Sequence, residues 1–355
     1  MSYYSLIEKV KAHFVENLPF VLYSLPDSDT ITALFQENTM LCKTDDFSSD
    51  SFVFAPFDYE EEAICIPKES SEVIEVNYIS TSIDSHEIVL KKNKKKKDKY
   101  CQLVEKAKEA IHSGLNSKIV ISRGESFPLK NFDLSILISR VLNLHKPAFR
   151  YVWFHPETGL WCGATPELLL KTDGTAFQTM ALAGTQKYHE KIQPRWSEKE
   201  KQEQRIVTDS ITTSLERVTS ILKVSKTYNY KAASLVHLRT DFTGIFNKGK
   251  TTLSNITSVL HPTPAVSGSP KERAKQFILN NENYNREFYT GFLGPICGKE
   301  NCSKLYVNLR CMKIEKENAR LYVGGGITKD SINVEEWNET QNKLQTMLQV
   351  LQPML

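Results

Sequence analysis

The chain has 355 residues, 40% hydrophobic and 25% charged, with a formal net charge of +3. That length suits one large globular domain or two smaller ones. The charge is too small to argue for nucleic acid or an anionic membrane as the main partner, and no stretch approaches the ~20 apolar residues of a membrane span.

In MSYYSLIEKVKAHF and onward, Leu6, Val10, Phe14 and Leu18 recur every four positions. This predicts an amphipathic helix over 1–22 and not a signal peptide. Residues 30–90 carry strand-like text, SFVFAPF, EAICIP and EVIEVNYIS. The basic run KKNKKKK, Lys91 to Lys97, reads as a solvated loop before a helix over 98–113, which Gly114 closes in the position of a left-handed cap. SKIVISR then reads as a strand, with Lys118, Val120 and Ser122 on one face and Ile119, Ile121 and Arg123 on the other. On strand statistics alone Lys118 is a strand-end lysine with its ammonium in water.

Strands are expected next at FRYVWFHP, LWCGATPELLLKT and FQTMALAGT, then a long helix from Ser197 to about Leu222. ASLVHLRTDFTGIF, a helix near 270–280, a strand pair at GFLGPICG and KLYVNLRCMKI, and RLYVGGGIT follow. A last helix runs from about Asn333 to Leu351. Strands and helices cluster without strict alternation, which argues for α+β with largely antiparallel sheets covered by helices. No linker is evident, so one domain over 1–355 is expected. The seven cysteines include no CxxC and no zinc spacing, and read as reduced thiols of a cytoplasmic protein.

Two helix beginnings stand out. On the first, Val207, Ile211, Leu215, Val218 and Leu222 form a buried stripe that continues backwards through Glu203 and Glu200. On the last helix, Glu336, Glu339, Lys343, Met347 and Leu351 share a face. Ser197-x-x-Glu200 and Asn333-x-x-Glu336 fit a capping-box spacing, but Glu203 and Glu339 lie a turn deeper. Inward carboxylates need a partner. Four of them suit a hard cation such as Mg2+, with pairing to Arg or Lys as the alternative. Gly184 and Thr185 in LAGT, Gly268 in AVSGSPKERA and Gly324 to Gly326 could bring backbone N–H groups to an anion, although turns explain most such glycines. Arg310, read as mid-strand in LYVNLRCMKI, faces solvent or clamps a carboxylate.

From about Tyr100 onward the text SKIVISR, ATPELLLK, ALAGT, EKQEQ, VHLRTDF, HPTPAVSGSPKERA, REFYTGFLG, LYVNLRCM, VGGGIT and EEWNETQNK resembles, in unbroken order, the chorismate-utilising enzymes. The resemblance implies a sandwich of antiparallel sheets with helices outside, Mg2+ as cofactor, and a single domain in which 1–95 is the family's variable N-terminal part and 98–355 the motif-bearing catalytic part. By position, Lys118 corresponds to the family's general base, which activates water for attack at C2 of chorismate. Glu167 corresponds to the acid that protonates the departing C4 hydroxyl. Glu203 and Glu339 correspond to metal ligands, with Glu200 and Glu336 supporting through water. Arg310 and Tyr289 should hold a substrate carboxylate, His237 should lie near the C4 side, and Gly184, Thr185, Gly268, Gly325 and Gly326 should contact substrate.

A base must be an uncharged amine when it takes the proton, and Glu167 must stay protonated until the hydroxyl leaves. The ammonia-using branch carries glutamine where this chain has Lys118, so water is the implied nucleophile. That leaves isochorismate synthase, with salicylate synthase as the alternative, and a non-catalytic binding protein behind both. The VHLRTDF form looks closer to isochorismate synthases that feed menaquinone. The implied partner is chorismate alone, with no nucleic acid or membrane, and the chain is expected to be a monomer. Departures include Glu203-Gln204 for the usual Glu-His, GGGI for GAGI, LRCM for an IRTA-like strand, and Gln186, Lys187 and Tyr188 where an arginine often stands.

Overall fold

A computed structural model describes residues 1–355 apart from 59, 189, 191–192, 233–234, 248, 299 and 301; the side chains of 185, 187 and 232 are also outside the described set. The α-helices among the described residues are α1 (Tyr3–Val15), α2 (Lys94–His112), α3 (Leu134–Leu144), α4 (Glu198–Glu216), α5 (Leu253–Leu260), α6 (Lys271–Asn281) and α7 (Asn333–Leu351).

Among the described residues the strands form two antiparallel sheets of nine and ten. The first sheet runs Gly268–Ser269, Lys118–Pro128, Asn318–Ile327, Cys311–Glu315, Gly159–Thr165, Phe149–His155, Phe20–Ser24, Thr30–Gln36, Ser71–Asn77. The path of the second is Thr219–Val224, Leu235–Phe246, Ala176–Lys187, Leu168–Asp173, Cys302–Val307, Phe292–Cys297, Ser51–Ala55, Ala63–Pro67, Cys42–Thr44, with Tyr228–Ala232 also paired to Leu235–Phe246. Residues 1–95 thus supply strands to both sheets.

The α+β expectation holds, and strand alternation shows why. In FRYVWFH every residue is buried. Val152 and Phe154 join the apolar layer that also takes Leu6, Leu137 and Leu348 from α1, α3 and α7. Phe149, Tyr151 and Trp153 point the other way, against Phe52, Phe54 and Tyr306 of the second sheet. A strand with a sheet on one side and helices on the other has no face left for water. Val207, Ile211 and Leu215 of α4 cover the outer face of the second sheet. Ile119 and Ile121 meet α2 and α6, so alternation turns Lys118 and Val120 inward, between the sheets.

Several boundaries differ from expectation. The first helix stops at Val15: Asn17 takes a left-handed φ of 57°, Pro19 follows, and Phe20–Ser24 is a central strand. The lysine run is partly helical, because Lys94–Lys97 form the first turn of α2 and Asn93 caps it through the Lys96 N–H. Helix α4 ends at Glu216. Thr219–Val224 is a strand along Leu235–Phe246, so Leu222 packs as a strand residue although it continues the helical stripe. LYVNLRCM is two strands, one in each sheet, and Arg310 lies in the crossing with a left-handed φ of 47°.

Candidate active site

The chain passes between the sheets at two places that matter here. Pro166 and Glu167 connect Gly159–Thr165 of the first sheet to Leu168–Asp173 of the second, and Asn308–Arg310 connect Cys302–Val307 back to Cys311–Glu315. These crossings border a pocket of about 720 Å³, its open mouth included, whose wall also contains Gly184, His237, Tyr289 and Glu339. A second cavity, at the N-termini of α4 and α7, is lined by Glu200, Glu203, Glu336 and Glu339 and shares Gly184 with the first.

Glu167 is 4% exposed. Burial raises its carboxyl to a pKa of about 7 even though Lys118, Lys343 and a hydroxyl at Thr263 all favour the charged form. Near neutrality the protonated acid is therefore well populated. Lys118 is fully buried just behind the pocket wall, with its amine 2.9 Å from Glu203 Oε1. The passage for this pair exists because residue 326 is glycine. A Cβ there would sit 2.8 Å from Lys118 Cε and collide outright with Glu203 Oε1.

Arg310 forms no ion pair among the described residues; its guanidinium lines the pocket and reaches Thr346 Oγ1 at 3.5 Å. Burial lowers its pKa to about 10, against the pull of Tyr289 and Glu339. A half-buried cation lining an open pocket with no ion-pair partner is poised for an anion from outside. His237 donates through Nδ1 to the Gly184 carbonyl at 2.8 Å, and burial with nearby Arg310 holds its pKa down to about 3. The ring is neutral at physiological pH, and the Nδ1 bond makes Nε2 the acceptor nitrogen.

The acids occupy three kinds of environment. Glu200 closes a capping box with Ser197, whose N–H it accepts at 2.7 Å, and also accepts from Gln186 Nε2 at 3.0 Å. The expected Asn333 cap is absent: the N-cap position of α7 is Ile332, without a side-chain bond. Glu336 is buried and pairs instead with Lys199, and among the described residues its Oε2 has no hydrogen-bond partner. Burial and the neighbouring Glu339 raise its pKa. Burial pushes Glu339 up, but Lys343 at 2.6 Å, Lys199 and Arg310 together outweigh it and hold the carboxyl below the usual range.

This donor set suits a hard divalent cation. The donors are all oxygen, they surround one cavity, and one buried carboxylate oxygen is orphaned. No ready-made group of three or more His, Cys, Asp or Glu side chains stands at coordinating distance among the described residues. Two carboxylates completed by waters and substrate oxygens is the usual way magnesium is held.

The expected residues do not all converge. Gly184, Tyr289, Gly325 and Gly326 line the main pocket, but Gly268 does not. Gly268 pairs with Ile119 at a φ of 126°, and a Cβ there would strike the Lys118 carbonyl, so its role is close strand approach. The side chain of Thr185 lies outside the described residues. Lys343 is the site residue whose role sequence reasoning missed: its amine donates to the Gly324 carbonyl at 2.9 Å and lines the pocket beside Glu339. The signal was present, since Lys343 follows Glu339 by one helical turn on the same face.

A family model described as "Chorismate binding enzyme" matches residues 55–352. The chain belongs to that family. Among relatives, isochorismate synthase EntC of Escherichia coli (strain K12) is 32% identical over 259 residues, covering 70% of this chain and 66% of that protein. Isochorismate synthase MenF of the same strain is 32% identical over 266 residues, 71% of this chain and 60% of that protein. The matched region thus spans 66% and 60% of the length of these two relatives. Among solved structures, DhbC from Bacillus anthracis aligns with a TM-score of 0.81 at 24% identity, covering 97% of this chain and 99% of that one. Menaquinone-specific MenF from Escherichia coli aligns at 0.76 and 20%, covering 94% and 88%. These likenesses carry the fold: this family member has the same two-sheet architecture. Among its described residues no helix is long and apolar enough to cross a membrane.

Proposed function

We propose that the chain is an isochorismate synthase, a magnesium-dependent enzyme that converts chorismate to isochorismate. The observation that carries this is the presence of two groups on the wall of one pocket: a buried carboxyl poised between its charge states, Glu167, and a guanidinium awaiting an anion, Arg310. Chorismate is a dicarboxylate, and Arg310 binds one carboxylate through its planar fork.

In the proposed reaction the Lys118 amine takes a proton from water as its oxygen bonds to C2 of the ring. The ring double bonds shift, the C4–O bond breaks, and Glu167 delivers the proton that lets the hydroxyl leave as water. Addition and loss balance, so the net change is an isomerisation. His237, with Nε2 as acceptor, suits a hydroxyl donor on the C4 side. Glu203 and Glu339 would hold Mg2+, with Glu200 and Glu336 behind them. The cation would neutralise the ring carboxylate next to the reacting carbons. The expectation that the product serves menaquinone synthesis rests on the VHLRTDF text alone and belongs to this proposal.

The test is to incubate purified protein with chorismate, with and without magnesium, and to separate the products. Magnesium-dependent isochorismate is the expected result. Salicylate with pyruvate would move the assignment to salicylate synthase, and no turnover would leave a binding protein.

A further inference from the structure

Arg286 and Glu282 follow α6 and have no role in the reaction proposed above, yet both side chains are 2% exposed. The surroundings of Lys118 explain their burial. The strand Lys118–Pro128 is bordered on one side by Asn318–Ile327 along its length. On the other side its neighbour, Gly268–Ser269, pairs only with Ile119 and Lys118. From Val120 onward that edge would be bare, in the interior, where an unpaired backbone group is costly.

The next edge groups are satisfied in order. Val120 N–H donates to the Ser267 carbonyl at 2.9 Å. The Val120 carbonyl accepts from Arg286 Nη2 at 2.8 Å. Ser122 N–H donates to Glu282 Oε1 at 2.7 Å, and Ser122 Oγ to the same oxygen at 2.9 Å. The two side chains are locked by Arg286 Nε to Glu282 Oε2 at 2.8 Å and Nη2 to Oε1 at 2.6 Å. Arg286 Nη1 then reaches the Val266 carbonyl at 2.9 Å and Thr290 Oγ1 at 3.2 Å, both on the pocket wall. Its Cζ lies 4.6 Å from the Phe57 ring centroid.

The geometry points to the Arg286–Glu282 pair as a side-chain substitute for a missing strand, a positioning device that sets Lys118 relative to the opposite wall of the pocket. A buried ion pair is weak grounds for a stability role, since apolar residues of similar volume often do as well. What apolar residues cannot do is hold Val120, Ser122, Val266 and Thr290 at fixed mutual distances. Small misplacement of a reacting group costs rate more than binding. Arg286 and Glu282 are therefore positioning residues for the reaction proposed above, and the inference rests on that reading.

Two variants test it. Arg286→Lys keeps the charge but lacks a fork able to span Glu282, Val120 and Val266 together. Glu282→Gln keeps an acceptor for Ser122 and the shape of the side chain, and guards against a lysine variant that does not fold. Amide hydrogen exchange over 117–123 is measured with wild-type kinetics in parallel. The expected result is faster exchange in that segment but not in the helices, with kcat down ~10- to 100-fold for Arg286→Lys, less for Glu282→Gln, and KM for chorismate within about twofold. Unchanged exchange in the segment overturns the clamp. Faster exchange with wild-type kcat overturns its role in positioning, and so does a uniform loss of active protein with unaltered kcat per folded molecule. Wild-type protein without turnover would sink the proposed function instead, leaving the exchange result to judge the clamp.

Discussion

Replacing Glu167 by glutamine should make the protein less active and, above neutral pH, more stable. Glutamine imitates the protonated carboxyl in shape but can neither deliver a proton nor ionise. The native carboxyl has its pKa raised from 4.5 to about 7, chiefly by burial. A group so shifted contributes stability in full below its unfolded value, and that contribution is lost as pH rises through the folded value. The shift corresponds to about 3 kcal/mol at ~1.4 kcal/mol per pH unit. Glu167→Gln should therefore match wild type below about pH 4.5 and exceed it by up to about 3 kcal/mol near pH 8. With ~2.1 cal/mol/K of unfolding entropy per residue over 355 residues, that is a Tm gain of about 4 °C. Calorimetry at several pH values reads the stability. Turnover should fall ~100- to 10,000-fold, and wild-type kcat/KM should decline as pH rises through about 7. A stability gain independent of pH, or a variant with native turnover, would refute the reasoning.

Arg310→Met should raise KM for chorismate ~10- to 100-fold, the worth of one charge-assisted contact. The unliganded protein should lose no stability, because a half-buried cation without an ion-pair partner has been removed; a lowered Tm with native KM would contradict this. Gly326→Ala should force Glu203 and Lys118 apart, so half-maximal rate should need at least ~10-fold more magnesium, as a magnesium titration would report. Arg150 is fully buried and donates to Tyr78, Ser24 and the carbonyls of Leu142, Leu25 and Ser28. Arg150→Met should cost about 3 kcal/mol or more by stranding those acceptors, with kcat per folded molecule intact, as denaturant unfolding and active-site titration would show.

Much of this architecture was legible because local and tertiary demands coincide. The stripe through Val207, Ile211 and Leu215 marks a helix and the layer it covers, and the alternation around Lys118 correctly turns it away from Ile119 and Ile121. Legibility fails where a pattern has two physical causes. Leu222 continues a helical period but belongs to a strand, since a partner strand five hydrogen-bonded positions long decides the matter and cannot be seen in a window of ten residues. Arg310 reads as mid-strand because both flanks are strands, while the change of sheet at its left-handed φ has no local signature without glycine. Gly268 was read as an anion-binding glycine, and close backbone approach makes the same demand on a sequence. Lys343 carried a signal but no meaning until Glu339 was known to border a pocket.

Glu167 and Arg310 both sit where the chain leaves one sheet for the other. Neither is anchored to a single rigid slab, so the gap between acid and guanidinium is a reading of how the two slabs are seated. A modest slide or parting of the layers would pull both groups out of register while every helix kept its hydrogen bonds. Under gentle denaturant, the capacity to turn over substrate should thus vanish while the far-ultraviolet signature of the backbone is still whole.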